Sequence, residues 1–305
     1  MSCVEFRLDG RTLQAEAGDT LWQAAARAGI EIPHLCHKDG IAPAGNCRAC
    51  VVEVEGERTL AASCCRAVAP GMVVRSDSER ARASQRLVLE LLKSDVAESA
   101  SGTRTPRDEL QLWSERLGVG ASRFPARPRG APDASHPAIA VDLDACIQCT
   151  RCLRACRDLQ ANDVIGLAGR GAQAQIVFDM ADPMGASSCV ACGECVQACP
   201  TGALAPATPA YIQPVDRSVE SVCPYCGVGC QLTYHVQGDR IAWVEGRPGP
   251  ANQGRLCVKG RYGFDYVHHP HRLRVPLIRR EGVPKDPAAR LDPADWASVF
   301  REATW

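Results

Sequence analysis

Apolar and polar residues alternate over Val4-Glu5-Phe6-Arg7-Leu8 and again over Thr12-Leu13-Gln14-Ala15-Glu16, with Asp9-Gly10 between them. A period of two broken by a turn dipeptide predicts a hairpin. The pattern then lengthens: Leu21-Trp22-Gln23-Ala24-Ala25-Ala26-Arg27-Ala28 reads as a helix, with Asp19 or Thr20 as its cap and Gly29 where a left-handed residue is wanted. A second helix is expected from the cap Ser78 through Ser94, with Leu87, Val88, Leu91 and Leu92 on one face. Residues 119–137, rich in Gly, Pro, Arg and Ala, predict an irregular connector. Short strand signals follow at Ile139–Asp142 and Ile176–Asp179, and Gln231–Val236 with Arg240–Glu245 predict a hairpin around Gly238-Asp239. The fold class is α+β and multi-domain.

Composition narrows this picture. A chain of 305 residues holds two to four small domains. Its 35 basic and 35 acidic residues cancel, so nothing points to nucleic acid or an anionic membrane. Met1-Ser2-Cys3-Val4-Glu5-Phe6 has no basic or apolar leader region, and no run reaches the ~18 apolar residues of a membrane span. A cytoplasmic location, with thiols kept reduced, is expected. Aromatic residues are only 5% of the chain, so its cores must be modest, and 18 cysteines are too many for packing alone.

Those cysteines carry the chemistry. Cys146-x2-Cys149-x2-Cys152-x3-Cys156 recurs 43 positions on as Cys189-x2-Cys192-x2-Cys195-x3-Cys199, followed by Pro200. Paired C-x2-C units also make zinc sites, but those seldom show three cysteines at successive x2 spacing and a fourth at x3, twice over. The run resembles the bacterial two-cluster ferredoxins, in which the fourth cysteine of each ladder ligates the other cube. That resemblance implies one 4Fe-4S cluster on Cys146, Cys149, Cys152 and Cys199, and another on Cys189, Cys192, Cys195 and Cys156. Arg157 replaces the proline of the first ladder, which shapes a turn but ligates nothing.

Strand, turn, strand and helix open a β-grasp unit, and the loop after them supplies Cys36-x10-Cys47-x2-Cys50-x13-Cys64. Four thiolates there suggest a 2Fe-2S centre, although plant-type ferredoxins have x4 as the first gap. This region resembles the 2Fe-2S domain of the large iron-sulfur subunit of complex I, iron hydrogenases and NAD-linked formate dehydrogenases. His34 and His37 flank Cys36 and read as solvated loop histidines, with a ligand role as the alternative, because four cysteines already suffice. Cys65 reads as a buried spare thiol, with ligand exchange with its neighbour Cys64 as the alternative, and Cys3 is left over. In those families the second helix leads to a further 4Fe-4S cluster held by one histidine and three cysteines. Residues 95–108 contain neither residue type, so that cluster is absent and the link from the 2Fe-2S centre to the ladders is expected to be the weakest step.

A different spacing closes the series, Cys223-x2-Cys226-x3-Cys230-x26-Cys257. With Cys-Pro-Tyr-Cys-Gly-Val-Gly-Cys at 223–230 and Gly-Arg-Leu-Cys-Val-Lys-Gly-Arg at 254–261, it resembles the 4Fe-4S domain of the molybdenum or tungsten bis-pterin oxidoreductases. The resemblance makes Lys259 a cofactor-contacting relay between cube and pterin; the plain alternative is a surface lysine. His268, His269 and His271 are given no chemistry.

The order of motifs divides the chain at 1–78, 79–137, 138–214, 215–285 and 286–305, the last read as the start of a pterin-binding region. Two complete ladders place formate dehydrogenases ahead of complex I. The expectation is the wiring part of an NAD-linked formate dehydrogenase, cut short or naturally split, holding about 14 irons and lacking the formate-oxidising site, so that no catalytic residue is assigned. The bis-molybdopterin guanine dinucleotide would be present only in the complete enzyme. No G-x-G-x-x-G fingerprint follows a strand, so flavin and NAD sites would lie on diaphorase partner subunits. A complex I-like or hydrogenase subunit, or another pterin enzyme such as a nitrate reductase, is the alternative.

Overall fold

The structure is a computed structural model and describes residues 3–96, 105–106, 108–127, 130–285 and 295–303. Most of the cysteine-free segment and of 286–305 lies outside these residues.

The first region is a five-stranded sheet in the order β2-β1-β5-β3-β4, built from β1 (Cys3–Leu8), β2 (Arg11–Glu16), β3 (Val51–Val54), β4 (Ala61–Ala62) and β5 (Val73–Arg75). The expected hairpin is present, with Phe6 opposite Leu13, and β1 runs parallel to β5. Helix α1 (Leu21–Arg27) covers the sheet, burying Leu21, Ala24 and Ala25 with Phe6, Leu8, Val52 and Val74. Thr20, not Asp19, caps it: its hydroxyl accepts from the Gln23 amide while the Gln23 side chain accepts from the Thr20 amide. Asp19 instead pairs with Arg27.

Helix α2 (Glu79–Asp95) is capped by Ser78 as expected, and Val88 and Leu92 of the expected face pack inward, but the rest of that face differs. Ala81, Gln85 and Leu89 are buried, whereas Leu87 and Leu91 are 42% and 44% exposed. Gln85 is a polar anchor on the buried face, its amide donating to the Val51 and Ser76 carbonyls. A short helix, α3 (Glu109–Arg116), packs on α2 through Leu110 and Trp113.

The middle region repeats itself. Strand β6 (Ile139–Val141), helix α4 (Arg151–Arg154) and β7 (Ile165–Ala168) precede β8 (Gln175–Phe178), α5 (Glu194–Ala198) and β9 (Leu204–Pro206). Strands β6 and β9 pair, as do β7 and β8, around Ile139, Val164, Ile176, Phe178 and Leu204. A third region follows as the sheet β10-β11-β12 (Arg217–Val222, Gln231–Gln237, Arg240–Gly246) with helix α6 (Val258–Tyr262), and Leu232, Val244 and Leu256 form its core. Among the described residues no helix is long and apolar enough to cross a membrane.

Candidate metal centres

In each ladder the backbone wraps by the same device. Gln148 and Thr150 in the first, and Ala191 and Gly193 at the matching positions of the second, have φ of 54°, 59°, 55° and 73°. Three of these are not glycine, and left-handed backbone at such residues costs about 1–2 kcal/mol each. The turn this produces aims amides inward: the Gln148 N–H donates to Cys146 Sγ and the Ala191 N–H to Cys189 Sγ, both at 3.4 Å. Amides pointed at sulfur suit a thiolate rather than a thiol.

The fourth cysteines cross over. Burial pushes the Cys146 thiol up to about 11 and Cys149 to about 12, and the nearby charge of Cys199 pushes in the same direction. Cys189, Cys192 and Cys195 are likewise raised, first by burial and then by neighbours that include Cys156. Four thiolates crowded away from water are unstable without positive charge among them, which metal supplies. Cys146, Cys149, Cys152 and Cys199 all line one largely apolar cavity. Among the described residues no three His, Cys, Asp or Glu side chains close on a point as ligands of a single ion do. For the first ladder the fit rests instead on four thiols lining one space, as a cluster with a thiolate at each corner requires.

The first region gathers its own four. The Cys36 N–H donates to Cys47 Sγ at 3.3 Å, and Cys50 Sγ lies 3.4 Å from Cys64 Sγ. Hydrogen bonds from Cys47 and Cys64 hold the Cys36 thiol well below its ordinary range, and donating those same bonds, together with burial, holds Cys47 and Cys64 up, so the set titrates as a unit. Cys65 is exposed rather than buried, with Sγ 3.6 Å from that of Cys64. Cys3 is also exposed.

His34 and His37 are not solvated. His37 is 4% exposed, His34 accepts from Trp22 Nε1 at 3.1 Å, and both rings pack edge-on against Trp22. Burial lowers both pKa values. The reason is a joint that spacing could not reveal. Leu35, Cys36 and Ala49 share one apolar cluster with Ile147 and Cys149, so the loop around Cys36 is covered by the first ladder. Arg151 forks onto Glu109 at 2.7 and 2.8 Å and donates to the His37 carbonyl, while Asn46 donates to the Cys149 carbonyl and the Thr150 hydroxyl. The two regions between which the weakest electron step is expected are in direct, buried contact.

The third set is more open. Cys223 and Cys230 are half-buried, Cys226 and Cys257 exposed. Burial raises the Cys230 thiol, followed by the charges of Cys223, Cys226 and Cys257, which places the four together. Lys259 is exposed on the first turn of α6. This region locks onto the second ladder through Arg261, which donates to the Cys192 carbonyl, to Gln197 Oε1 and to Glu194 Oε1. Gln197 also donates to the Gly246 and Gly254 carbonyls, and its own carbonyl accepts from Lys38 of the Cys36 loop.

Residues 2–79 match the 2Fe-2S iron-sulfur cluster binding domain, 136–205 the ferredoxin-like domain of NADH-quinone oxidoreductase subunit 3, and 216–269 the molybdopterin oxidoreductase Fe4S4 domain. The chain is an iron-sulfur protein of the family that includes a chain of an NAD+-reducing [NiFe]-hydrogenase, and its residues 216–269 form a domain of the molybdopterin oxidoreductase type. It is 34% identical to an NADH-quinone oxidoreductase subunit of Rhizobium meliloti over 96% of its own length and 34% of that protein. Identity to the putative formate dehydrogenase YrhE of Bacillus subtilis is 28%, over 92% and 33%. A chain of an NAD+-reducing [NiFe]-hydrogenase in the H2-reduced state aligns with TM-score 0.64 and 31% identity, covering 70% of this chain and 92% of that one. This iron-sulfur region thus spans about a third of the length of the curated relatives it matches.

These likenesses reverse the expected ranking, since the NADH-quinone oxidoreductase and hydrogenase relatives stand ahead of the formate dehydrogenase. The two complete ladders were a poor discriminator: the stretch that holds both matches a domain of NADH-quinone oxidoreductase. The matched domains are 2Fe-2S, ferredoxin-like and Fe4S4 domains, and the relatives that share them are parts of oxidoreductases.

Proposed function

We propose that this chain is the electron-conducting segment of a nicotinamide-linked complex of the NADH-quinone oxidoreductase and NAD-linked hydrogenase kind. Cys36, Cys47, Cys50 and Cys64 would hold a 2Fe-2S cluster. Cubes would be held by Cys146, Cys149, Cys152 and Cys199, by Cys189, Cys192, Cys195 and Cys156, and by Cys223, Cys226, Cys230 and Cys257. Bound there, the clusters supply one-electron carriers whose potentials answer to charge, hydrogen bonds and exposure. The chain's own residues exclude water from the ladder thiols, aim amides at their sulfurs and fix the spacing between sets through Arg151, Asn46 and Arg261.

The crossed grouping of Cys199 with the first ladder and Cys156 with the second carries this reading, because it is the arrangement two cubes need and no single-ion site does. Purification with native partner subunits, followed by iron and sulfide analysis and low-temperature EPR, tests it. About 14 irons and NADH-dependent reduction are expected; iron-free native protein, or clusters that NADH with all partners fails to reduce, would refute it.

A formate dehydrogenase reading has support in the match of 216–269 and in the Bacillus subtilis relative. There, flavin and NAD would lie on diaphorase subunits, a pterin with molybdenum or tungsten on further protein, and Lys259 would relay between pterin and cube. Formate-dependent dye reduction, lost in Lys259→Met, would favour it over the first reading.

A further inference from the structure

Three arginines are buried at the joints between the cysteine sets, and two have carboxylate partners. Arg151 is paired with Glu109 and Arg261 with Glu194. Arg154, 6% exposed and one turn from Arg151 on the same helical run, is different. Its Nη1 donates to the Ala42 carbonyl, its Nη2 to the carbonyls of Cys36 and Cys149, and its Nε to that of Thr150 at 3.3 Å. Every one of these acceptors is a backbone oxygen. Among the described residues no carboxylate is in ion-pair contact with the guanidinium; Asp158, one turn on and exposed, feels its charge but is held by Arg157.

A buried charge without a counter-charge is costly, and proteins pair such groups or set them against metal sites. Carbonyl oxygens take four of its five N–H donors without cancelling the charge. What lies against this guanidinium is chemically informative: one Nη2 spans the carbonyl of a cysteine of the first set and the carbonyl of a cysteine of the first ladder. Clusters ligated by four thiolates carry net negative charge, and each gains one more on reduction.

We infer that Arg154 is the shared counter-charge of the 2Fe-2S centre and the Cys146 cube, and that it holds both reduction potentials up. The inference rests on the cluster occupancy proposed above. A cation fixed at the joint favours the reduced, more negative form of both neighbours. Arg151 cannot do this as well, since Glu109 cancels its charge at 2.7 Å. Arg154 is thus a positioning and electrostatic residue, separate from the thiolate ligands.

The test is an EPR-monitored redox titration of the full chain in its native complex, comparing Arg154→Gln with Arg154→Lys. In Arg154→Gln with native iron content, the reduced-to-oxidised ratio of both centres at fixed ambient potential should fall about tenfold, equal to about 59 mV for a one-electron couple. The Cys223 centre serves as the unshifted reference, and Arg154→Lys should titrate as the native protein does. Unchanged potentials in a loaded Arg154→Gln, or shifted potentials in a loaded Arg154→Lys, would overturn the inference. If Arg154→Gln fails to load while Arg154→Lys loads with native potentials, the charge is what the joint requires and the inference stands. If neither variant loads, the four-carbonyl bridge matters rather than the charge, and it falls. Absence of iron and sulfide from the native protein would instead sink the cluster reading, before Arg154 is tested.

Discussion

The ladder thiols and the Cys223 set differ in what covers them. Cys152 and Cys195 lie inside the core that also contains Ile139, Ile176 and Phe178. Cys226 and Cys257 face solvent, with Tyr225, Val228 and Val258 beside them 40%, 57% and 41% exposed. In the first case the site and the fold are one object, because short strands such as β6 and β9 have little else to pack on. In the second, a three-stranded sheet has its own core of Leu232, Val244 and Leu256 and carries its cysteines at the edge.

The largest expected effect breaks the two apart. Cys152→Ala should lose about four irons and, since ligation free energy is folding free energy where no site preexists, also the hydrogen-exchange protection of 138–206. Cys226→Ala should lose as much iron while β10–β12 keep their protection. Collapse of that sheet in Cys226→Ala would erase the distinction.

The joint between the regions comes next. Arg261→Met would leave Glu194, whose side chain is 6% exposed, without its cation, at a cost of about 3–5 kcal/mol in urea denaturation. Arg247→Met, removing a pair to the exposed Glu220, should cost under about 1 kcal/mol.

Two glycines of like conformation sharpen the point. Gly193 in the second ladder and Gly227 in the third set have φ of 73° and 75°. A Cβ at Gly193 would fall 2.1 Å from Arg261 Cδ, whereas one at Gly227 meets nothing within 4 Å. Gly227→Ala should therefore cost only the left-handed strain of about 1–2 kcal/mol, and Gly193→Ala clearly more, read by thermal melting.

The smallest effect concerns pH. His136 is buried beside the middle core, its Nδ1 accepts from the Ala138 and Ile139 amides, and burial lowers its pKa below 6.5. Above that value both folded and unfolded forms are neutral; below it the unfolded chain takes a proton first, so stability falls with pH. His136→Gln should flatten the fall in urea midpoint between pH 6.5 and 5.

Much of this was legible because it depends on short-range spacing. Alternation at Val4–Leu8, the cap at Ser78 and the gaps within both ladders are local, and the structure has them. What escaped depends on partners distant in sequence. The inward face of α2 includes Gln85, which reaches Val51, and the burial of His37 follows from Ile147 and Arg151 packing on its loop. The Arg261 and Glu194 pair left no signal either, for nothing in either motif announces that the other is its neighbour. Substrate-level ranking failed for a related reason: ladder completeness describes one domain, and domains are shared among enzymes of different chemistry.

Helix α5 is only five residues long, yet Cys195 and Gln197 lie on it and Cys199 follows directly. Through those three positions it touches its own ladder, the opposite ladder, the Lys38 loop and the Gly246–Gly254 turn. Tolerance to added length should accordingly be very uneven. The β7–β8 turn around Gly169 and Gly171 can grow without moving any cysteine, whereas one residue inserted between 195 and 199 would throw all three regions out of register at once.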